Sequence, residues 1–298
     1  MEALEALKRT IHVTGELQSL VKTMKVLAGL NIRLYERAAR AVAEYNRTIE
    51  MGLQVALMSM PERALPPRHA PGRKLSAVVF GSDQGMCGQL NDVVVEHATR
   101  ALRRLAVRRE DQTILAVGSR AAAQLEACGQ NVEASLDVPS SIAGITATVH
   151  DVLLRIEEWR EQRGIEMAVL FNCRPVSGVF YRPRGIRLLP VDAGWIRGLK
   201  AKRWPSKVIP TYTLDTEPLF HSLIREYLFV SLYRACAESL ASENAARLAS
   251  MQVAERNIDD RMTALSSEFR QSRQSAVTSE LLDIVSAFEA LRGKERVR

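Results

Sequence analysis

A chain of 298 residues and 33.2 kDa that is 47% hydrophobic, 25% charged and 5% aromatic has enough apolar mass for a folded core. Length alone suggests about two ordinary domains. No stretch approaches the ~18 uninterrupted apolar residues of a membrane span, and Glu2 and Glu5 stand where a secretory leader would be basic and then apolar. These features lead us to expect an unprocessed, soluble, cytosolic protein that can still bind a membrane complex from outside. The four cysteines, Cys87, Cys128, Cys173 and Cys236, are far apart in sequence with no CxxC pair, which argues against a disulfide framework or a zinc site. The formal charge of +7 is spread out: residues 1–60 carry 8 basic and 6 acidic side chains, and residues 219–298 carry 11 of each. A nucleic-acid face would need clustering that this distribution lacks.

The first sixty residues contain no proline, and their apolar residues recur at three and four. Leu4, Leu7, Ile11, Leu17, Val21, Met24 and Ala28 begin a stripe that continues through Tyr35, Val42, Ile49, Leu53 and Leu57. Lys8, Lys22, Arg33, Arg37 and Arg47 occupy other faces. The spacing predicts a long amphipathic helix with a narrow seam, ended by Pro61 and the PERALPPRHAPGRK stretch.

From about Lys74 to Val191 the rhythm changes. Short β-branched runs at Leu75–Phe80, Thr113–Val117 and Met167–Phe171 alternate with helical stretches at Leu90–Arg109 and Ile142–Arg163. That alternation argues a parallel α/β sheet. Trp195–Tyr212, basic and punctuated by proline, reads as a loop or hairpin.

The last segment has no glycine or proline between Pro218 and Gly293. As one helix it would reach about 110 Å at 1.5 Å per residue, whereas a compact globule of the whole chain would be ~50 Å across. Such a helix is expected to protrude. Both terminal helices are anchored to the middle domain by their inner ends, so if paired they run antiparallel, with a single-helix C-terminal tip of about 20 Å. The expected domains are residues 1–60, a globular α/β foot at 61–218, and residues 219–298.

The most conspicuous local motif is GSDQGMCGQLN (Gly81–Asn91), after a predicted strand and before a predicted helix. Its glycines allow a tight turn with amides free to meet an anion, but the spacing is neither GxGxxG nor GxxxxGK[ST] and no lysine follows. A structural or interface turn competes with nucleotide binding. Cys87 could act as a nucleophile near a helix start, yet none of the five histidines forms a recognisable triad with it. Asp83 either caps the helix or meets a partner's cation. For the terminal helices the plain reading is a coiled-coil spacer.

Three motifs then agree with this shape. SLYRACAESLASENAARLASMQVA (Ser231–Ala254), followed by RQSRQSAVTSELLDIVSA (Arg270–Ala287), closely resembles the gamma subunit of F-type ATP synthases. SDQGMCGQLN (Ser82–Asn91) resembles that family's S-D-x-G-L-C-G-x-L-N loop. Ile11, Gln18, Met24, Lys25 and Ala28 match its I-x6-Q-x5-M-K-x2-A pattern. The expected fold class is therefore α/β: a long antiparallel coiled coil of the N- and C-terminal helices plus a Rossmann-like parallel α/β domain.

The resemblance implies a central rotor shaft. Its partners would be a ring of alpha- and beta-type subunits, an epsilon-type subunit and a membrane rotor ring of c-type subunits. It implies no catalytic residue, metal or cofactor, no substrate and no nucleic-acid partner, because the nucleotide sites of the family lie on the ring. Arg273, Gln274, Thr278 and Glu280 map to contacts that catch the ring, and Met24, Arg247 and Gln274 to positions that couple shaft and ring. Lys22 and Lys25 could face acidic lever loops of the catalytic subunits. Gly85, Cys87 and Gly88, with Asp83, match the foot loop near a catalytic subunit's base. The plain alternative for Arg273 and Glu280 is a solvated face worth a few tenths of a kcal/mol.

Departures mark a divergent branch: Gln84 replaces the family's loop Arg, Gln89 a Gly, and Ser286-Ala287-Phe288-Glu289 stands for S-G-A-x. With no transit segment or inserted regulatory cysteine pair, the expected place is the cytoplasmic side of a bacterial plasma membrane, peripherally bound. The competing readings are a coiled-coil scaffold or nucleic-acid clamp with an α/β head, and a small-molecule enzyme built on the middle domain.

Overall fold

The computed structural model describes residues 2–60, 74–105, 107–176 and 180–295. The helix break expected between Pro61 and Lys74 and the end of the basic tail lie outside them. The chain divides into two units, Ala28–Ala249 and the pair Met1–Leu27 with Ser250–Arg298. Two helices contribute to both: α1 (Glu2–Ser59) and the 80-residue α6 (Thr216–Glu295). Pro218 is accommodated in the first turn of α6, where its missing N–H would have had no partner.

In the larger unit, β1 (Leu75–Phe80) is followed by α2 (Leu90–Arg104), β2 (Gln112–Val117), α3 (Ser119–Ala127), β3 (Val132–Leu136), α4 (Ile142–Arg163), β4 (Met167–Pro175), β5 (Tyr181–Leu189) and α5 (Ala193–Ala201). The sheet order is β3-β2-β1-β4-β5, with parallel pairing throughout except for antiparallel β5 at the edge. The fold is α/β, and the sheet is mixed rather than wholly parallel. β1 is buried along its whole length, as a near-continuous apolar run must be when helices cover both faces.

Alternation then sorts the core. Val78, Phe80, Leu115, Val117, Ala168 and Leu170 join α4 and α6 on one face. Ala77, Val79, Ile114, Ala116, Val169 and Phe171 meet α2 on the other. A third cluster joins Ile49, Leu53 and Leu57 of α1, Ile196 and Leu199 of α5, and Phe220 and Val230 of α6.

Local chemistry sets several boundaries. α4 starts where Ser141 Oγ accepts the Gly144 N–H and stops at Gly164 in the left-handed region. α2 ends five residues before the expected Arg109. Beyond it Gln112 Nε2 donates to the Val107 carbonyl and Arg108 Nε to Asp111 Oδ2, local bonds that favour a turn over another helical turn. The expected loop at Trp195–Tyr212 begins instead inside α5, because Asp192 accepts the Gly194 N–H and caps it.

The C-terminal ends of the strands cross at close quarters. Gly81 N–H donates to the Val117 carbonyl, Gly118 N–H to the Leu136 carbonyl and Arg120 N–H to the Ser82 carbonyl. Gly118 has φ +115°, and a Cβ there would lie 2.7–2.8 Å from the Ser82 backbone.

In the smaller unit, Leu4, Leu7, Ile11, Thr14, Gln18 and Val21 are half-buried at alternating steps of three and four, the heptad of a coiled-coil seam. Their counterparts on α6 are Met251, Ile258, Met262, Leu265 and Phe269, with Met251 and Leu265 fully buried. Gln18 bonds Asp259 and Lys25 pairs with Glu255, so partners fall along α6 as numbers rise along α1. The pairing is antiparallel.

Two outcomes follow from this packing. Gly118→Ala forces both a clash and a strained backbone, so urea denaturation of the full chain should show a loss of about 3 kcal/mol. Cys87, Cys173 and Cys236 are buried, and burial pushes the Cys173 thiol up to about 12 and that of Cys236 upward still further. An aromatic disulfide reagent should therefore titrate one fast thiol, Cys128, in the native chain and four after denaturation.

Candidate functional site

The loop Gly81–Asn91 is built as a knot of side-chain-to-backbone bonds. Asn91, in the first turn of α2, accepts the Ser82 N–H through Oδ1 at 3.0 Å and donates from Nδ2 to Ser82 Oγ at 2.8 Å. Ser82 Oγ in turn donates to the Gln84 carbonyl at 3.0 Å. Cys87 is buried against this knot, its Sγ 3.4 Å from Ser82 Oγ and 3.6 Å from the Gln84 carbonyl. No histidine contacts it among the described residues, so nothing in place would accept its proton.

Asp83 reaches across to two other loops. Its Oδ1 accepts the Ser119 N–H at 2.8 Å, at the start of α3, and its Oδ2 accepts the Val138 N–H at 2.7 Å. Sequence left a helix cap and a partner's cation as alternatives; the carboxylate in fact ties three loops together. The first amide of α3 is thereby taken and is not free to meet an anion. Gly88 sits in the left-handed region at φ 58°, and the neighbouring Met86, also left-handed at φ 60°, is exposed. Gly85 has open space around it, and the guanidinium of Arg120 lies 4.0 Å from where its side chain would begin.

The shaft residues separate into two kinds. Lys25 is engaged by Glu255, and Met24 is half-buried in the seam, whereas Lys22 is exposed. Arg247 turns inward: its Nη2 meets Glu243 Oε1 at 2.7 Å, with side chains 12% and 8% exposed. Burial pushes the Glu243 carboxyl upward, Arg247 pulls it down, and Asp83 adds to the rise. Arg247 Nε and Glu243 Oε2 are buried without partners among the described residues. Arg273, Gln274, Thr278 and Glu280 are all exposed, and Thr278 Oγ1 donates to the Gln274 carbonyl at 2.9 Å. Every described side chain from Arg273 to Ser286 is exposed, including Val277, Leu281, Leu282, Ile284 and Val285. Within the larger unit the Arg247–Glu243 pair lies near enough to the foot loop for the charge of Asp83 to act on Glu243, whereas Arg273, Gln274, Thr278 and Glu280 belong to the smaller unit.

Sequence reasoning missed Asn91 as the keystone of the loop. The available signal was an Asn at a helix start following a Ser in a tight turn, a pairing that commonly bonds locally. Among the described residues no group of His, Cys, Asp and Glu could hold a metal ion, and no helix is long and apolar enough to cross a membrane.

The chain is similar in sequence and in fold to known proteins. The chain is 26% identical over 297 residues to the ATP synthase gamma chain of Syntrophus aciditrophicus (strain SB), covering 98% of this chain and 99% of that one. In fold it is similar to a chain of the Euglena gracilis mitochondrial ATP synthase OSCP/F1/c-ring structure, with a TM-score of 0.66 at 17% identity, covering 99% and 96% of the two chains. It is also similar to a chain of the Tetrahymena thermophila mitochondrial ATP synthase central stalk and c-ring, with a TM-score of 0.56 at 20% identity, covering 79% and 99%. The ATP synthase family model matches residues 3–291. With that match spanning both helices, the foot loop and the whole sheet, the chain belongs to the gamma-subunit family of the ATP synthase complex.

Proposed function

We propose that this chain is the central rotor stalk of an F-type ATP synthase, passing torque between an ion-driven c-type membrane ring and a ring of alpha- and beta-type subunits. The observation that carries the reading is the antiparallel seam of α1 and α6, marked by the Gln18–Asp259 and Lys25–Glu255 pairs, within a chain matched end to end by the family. A shaft turning among chemically alike neighbours needs continuous helices and an irregular surface. Both helices are unbroken, and the exposed stretch from Arg273 mixes charge, polar and apolar groups.

In this reading the chain performs no chemistry of its own, and residues 1–60 and 219–298 form the shaft while 61–218 form the foot, which also holds an epsilon-type subunit. Exposed Arg273, Gln274, Thr278 and Glu280 are available as catches. Lys22 is available to acidic loops of the ring, whereas Lys25 reaches them only by leaving Glu255. At the foot, Arg120 beside Gly85 supplies the positive charge that Gln84 does not. The place of action is the cytoplasmic side of a bacterial plasma membrane.

The test is co-purification. Tagged full-length chain should bring down ring subunits in a one-to-three ratio with each ring type, and a pure, stable monomer without ATPase partners would overturn the reading. Within the complex, Arg273→Ala and Gln274→Ala should lower ATP-driven turnover while assembly persists; unchanged turnover in both removes the catch assignment. Lys22→Ala should lower turnover more than Lys25→Ala, measured side by side at low salt, where exposed charges act over longer range.

A further inference from the structure

On the side of the sheet covered by α2, the β5 edge is left open. There β4 and β5 place side chains in register, Val169 with Arg187 and Phe171 with Gly185. Along the opposite wall α2 sets His97, Arg100, Ala101 and Arg104, at the spacing of one helix face. Between them lies a cleft of about 1080 Å³, near the upper end of the ~300–1,000 Å³ usual for small-molecule sites.

Part of the lining is apolar, from Ala101, Leu105, Pro183 and Pro190. A Cβ on Gly185 would come within 3.0 Å of the Phe171 ring and 3.7 Å of His97 Nε2, so the glycine lets β5 pass close over the buried Phe171 and leaves the half-buried His97 uncovered. His97 and Phe171 meet edge to face at 6.0 Å.

The rim is cationic. Arg100 is steadied by Glu96 one turn back. Arg187 Nη2 lies 3.8 Å from Asp192 Oδ1, a carboxylate also used to cap α5. Arg104 has no carboxylate partner among the described residues. Burial, then Arg100 and Arg104, depress the proton affinity of His97, so the field in the cleft is positive.

We infer that this cleft binds a phosphorylated small molecule, with Arg100, Arg104 and Arg187 holding its phosphate groups. Guanidinium forks match phosphate oxygens in pairs, and a cleft with apolar walls strengthens such contacts relative to open water. The apolar lining at Ala101, Leu105, Pro183 and Gly185 receives whatever non-phosphate part the molecule carries. Inorganic polyphosphate and a nucleotide share the anionic chemistry and differ in that part. Nothing here depends on the rotor assignment, and binding involves no bond-making step.

The test titrates the full chain, free of ring subunits, with pyrophosphate and separately with ADP, followed by calorimetry and by the imidazole proton resonances. Saturable binding that weakens with added salt is expected. It should raise the pKa of His97, because the bound negative charge offsets Arg100 and Arg104. The remaining charges around this histidine are Glu96 on α2, Arg184 and Arg187 on β5, and Asp192 before α5. ADP binding tighter than pyrophosphate identifies a nucleotide; equal affinities identify the inorganic anion; both support the site. The double variant Arg104→Gln, Arg187→Gln, at two exposed positions, should weaken binding about tenfold or more with an unchanged Tm. No saturable binding of either ligand, or binding undiminished in the double variant, overturns the inference, while co-purification with ring subunits decides the rotor reading separately.

Discussion

One stretch of α6 has to satisfy two neighbours at once. Ala235–Ala246 are buried without interruption, because this part of the helix packs both on the sheet and against α1. Helices ordinarily bury a stripe and leave the rest to water. Burial on every side here is possible because Ala235, Cys236, Ala237, Ser239, Ala241, Ser242, Ala245 and Ala246 are small, so backbones approach closely. Asn172 of β4 donates to the Ala235 carbonyl at 3.2 Å, fastening the helix to the sheet. Asn31 of α1 donates to Asn244 Oδ1 at 3.4 Å on the other flank.

The same stretch carries a cost. Glu238, Ser239, Ser242, Glu243 and Asn244 are buried with it, and polar groups out of water must find partners. Ser242 and Asn244 turn back to the helix carbonyls of Glu238 and Leu240. Glu238 takes Arg234, and Glu243 takes Arg247. The matching is incomplete, since Glu238 Oε2, Ser239 Oγ, Glu243 Oε2 and Arg247 Nε lack a hydrogen-bond partner among the described residues, and Glu238 Oε2 has only the Arg184 guanidinium at 4.0 Å. A hydrophobic replacement of similar volume would avoid that penalty. The charged pairs therefore argue for a demand other than stability on this part of the helix.

A second consequence concerns where ligands can bind. Open α/β sheets usually receive ligands beyond the carboxyl ends of their strands, at the point where strand order reverses. In this chain that point falls between β1 and β4, beside the loop Gly81–Asn91. Several amides at this corner are occupied from within, because Asp83 takes those of Ser119 and Val138 and Asn91 takes that of Ser82. The basic cleft by β5 lies on the sheet's face and edge, away from that crowded corner.

By itself the sequence determined the long terminal helices, the α/β alternation, three of the five strands and the limits of α4. Each rests on neighbours in the chain: periodicity, the absence of Gly and Pro, and the local caps at Ser141 and Gly164. β5 was not legible, because YRPRGIRLL alternates charge with proline and glycine and becomes a strand only by pairing with β4. Nor was the role of Asp83, whose partners lie 36 and 55 residues away. Lys22 and Lys25 look equivalent in sequence and differ only because Glu255 comes from the other helix. Tertiary structure decided which charges are spent inside the chain and which remain for others, since that depends on contacts between segments far apart in the chain.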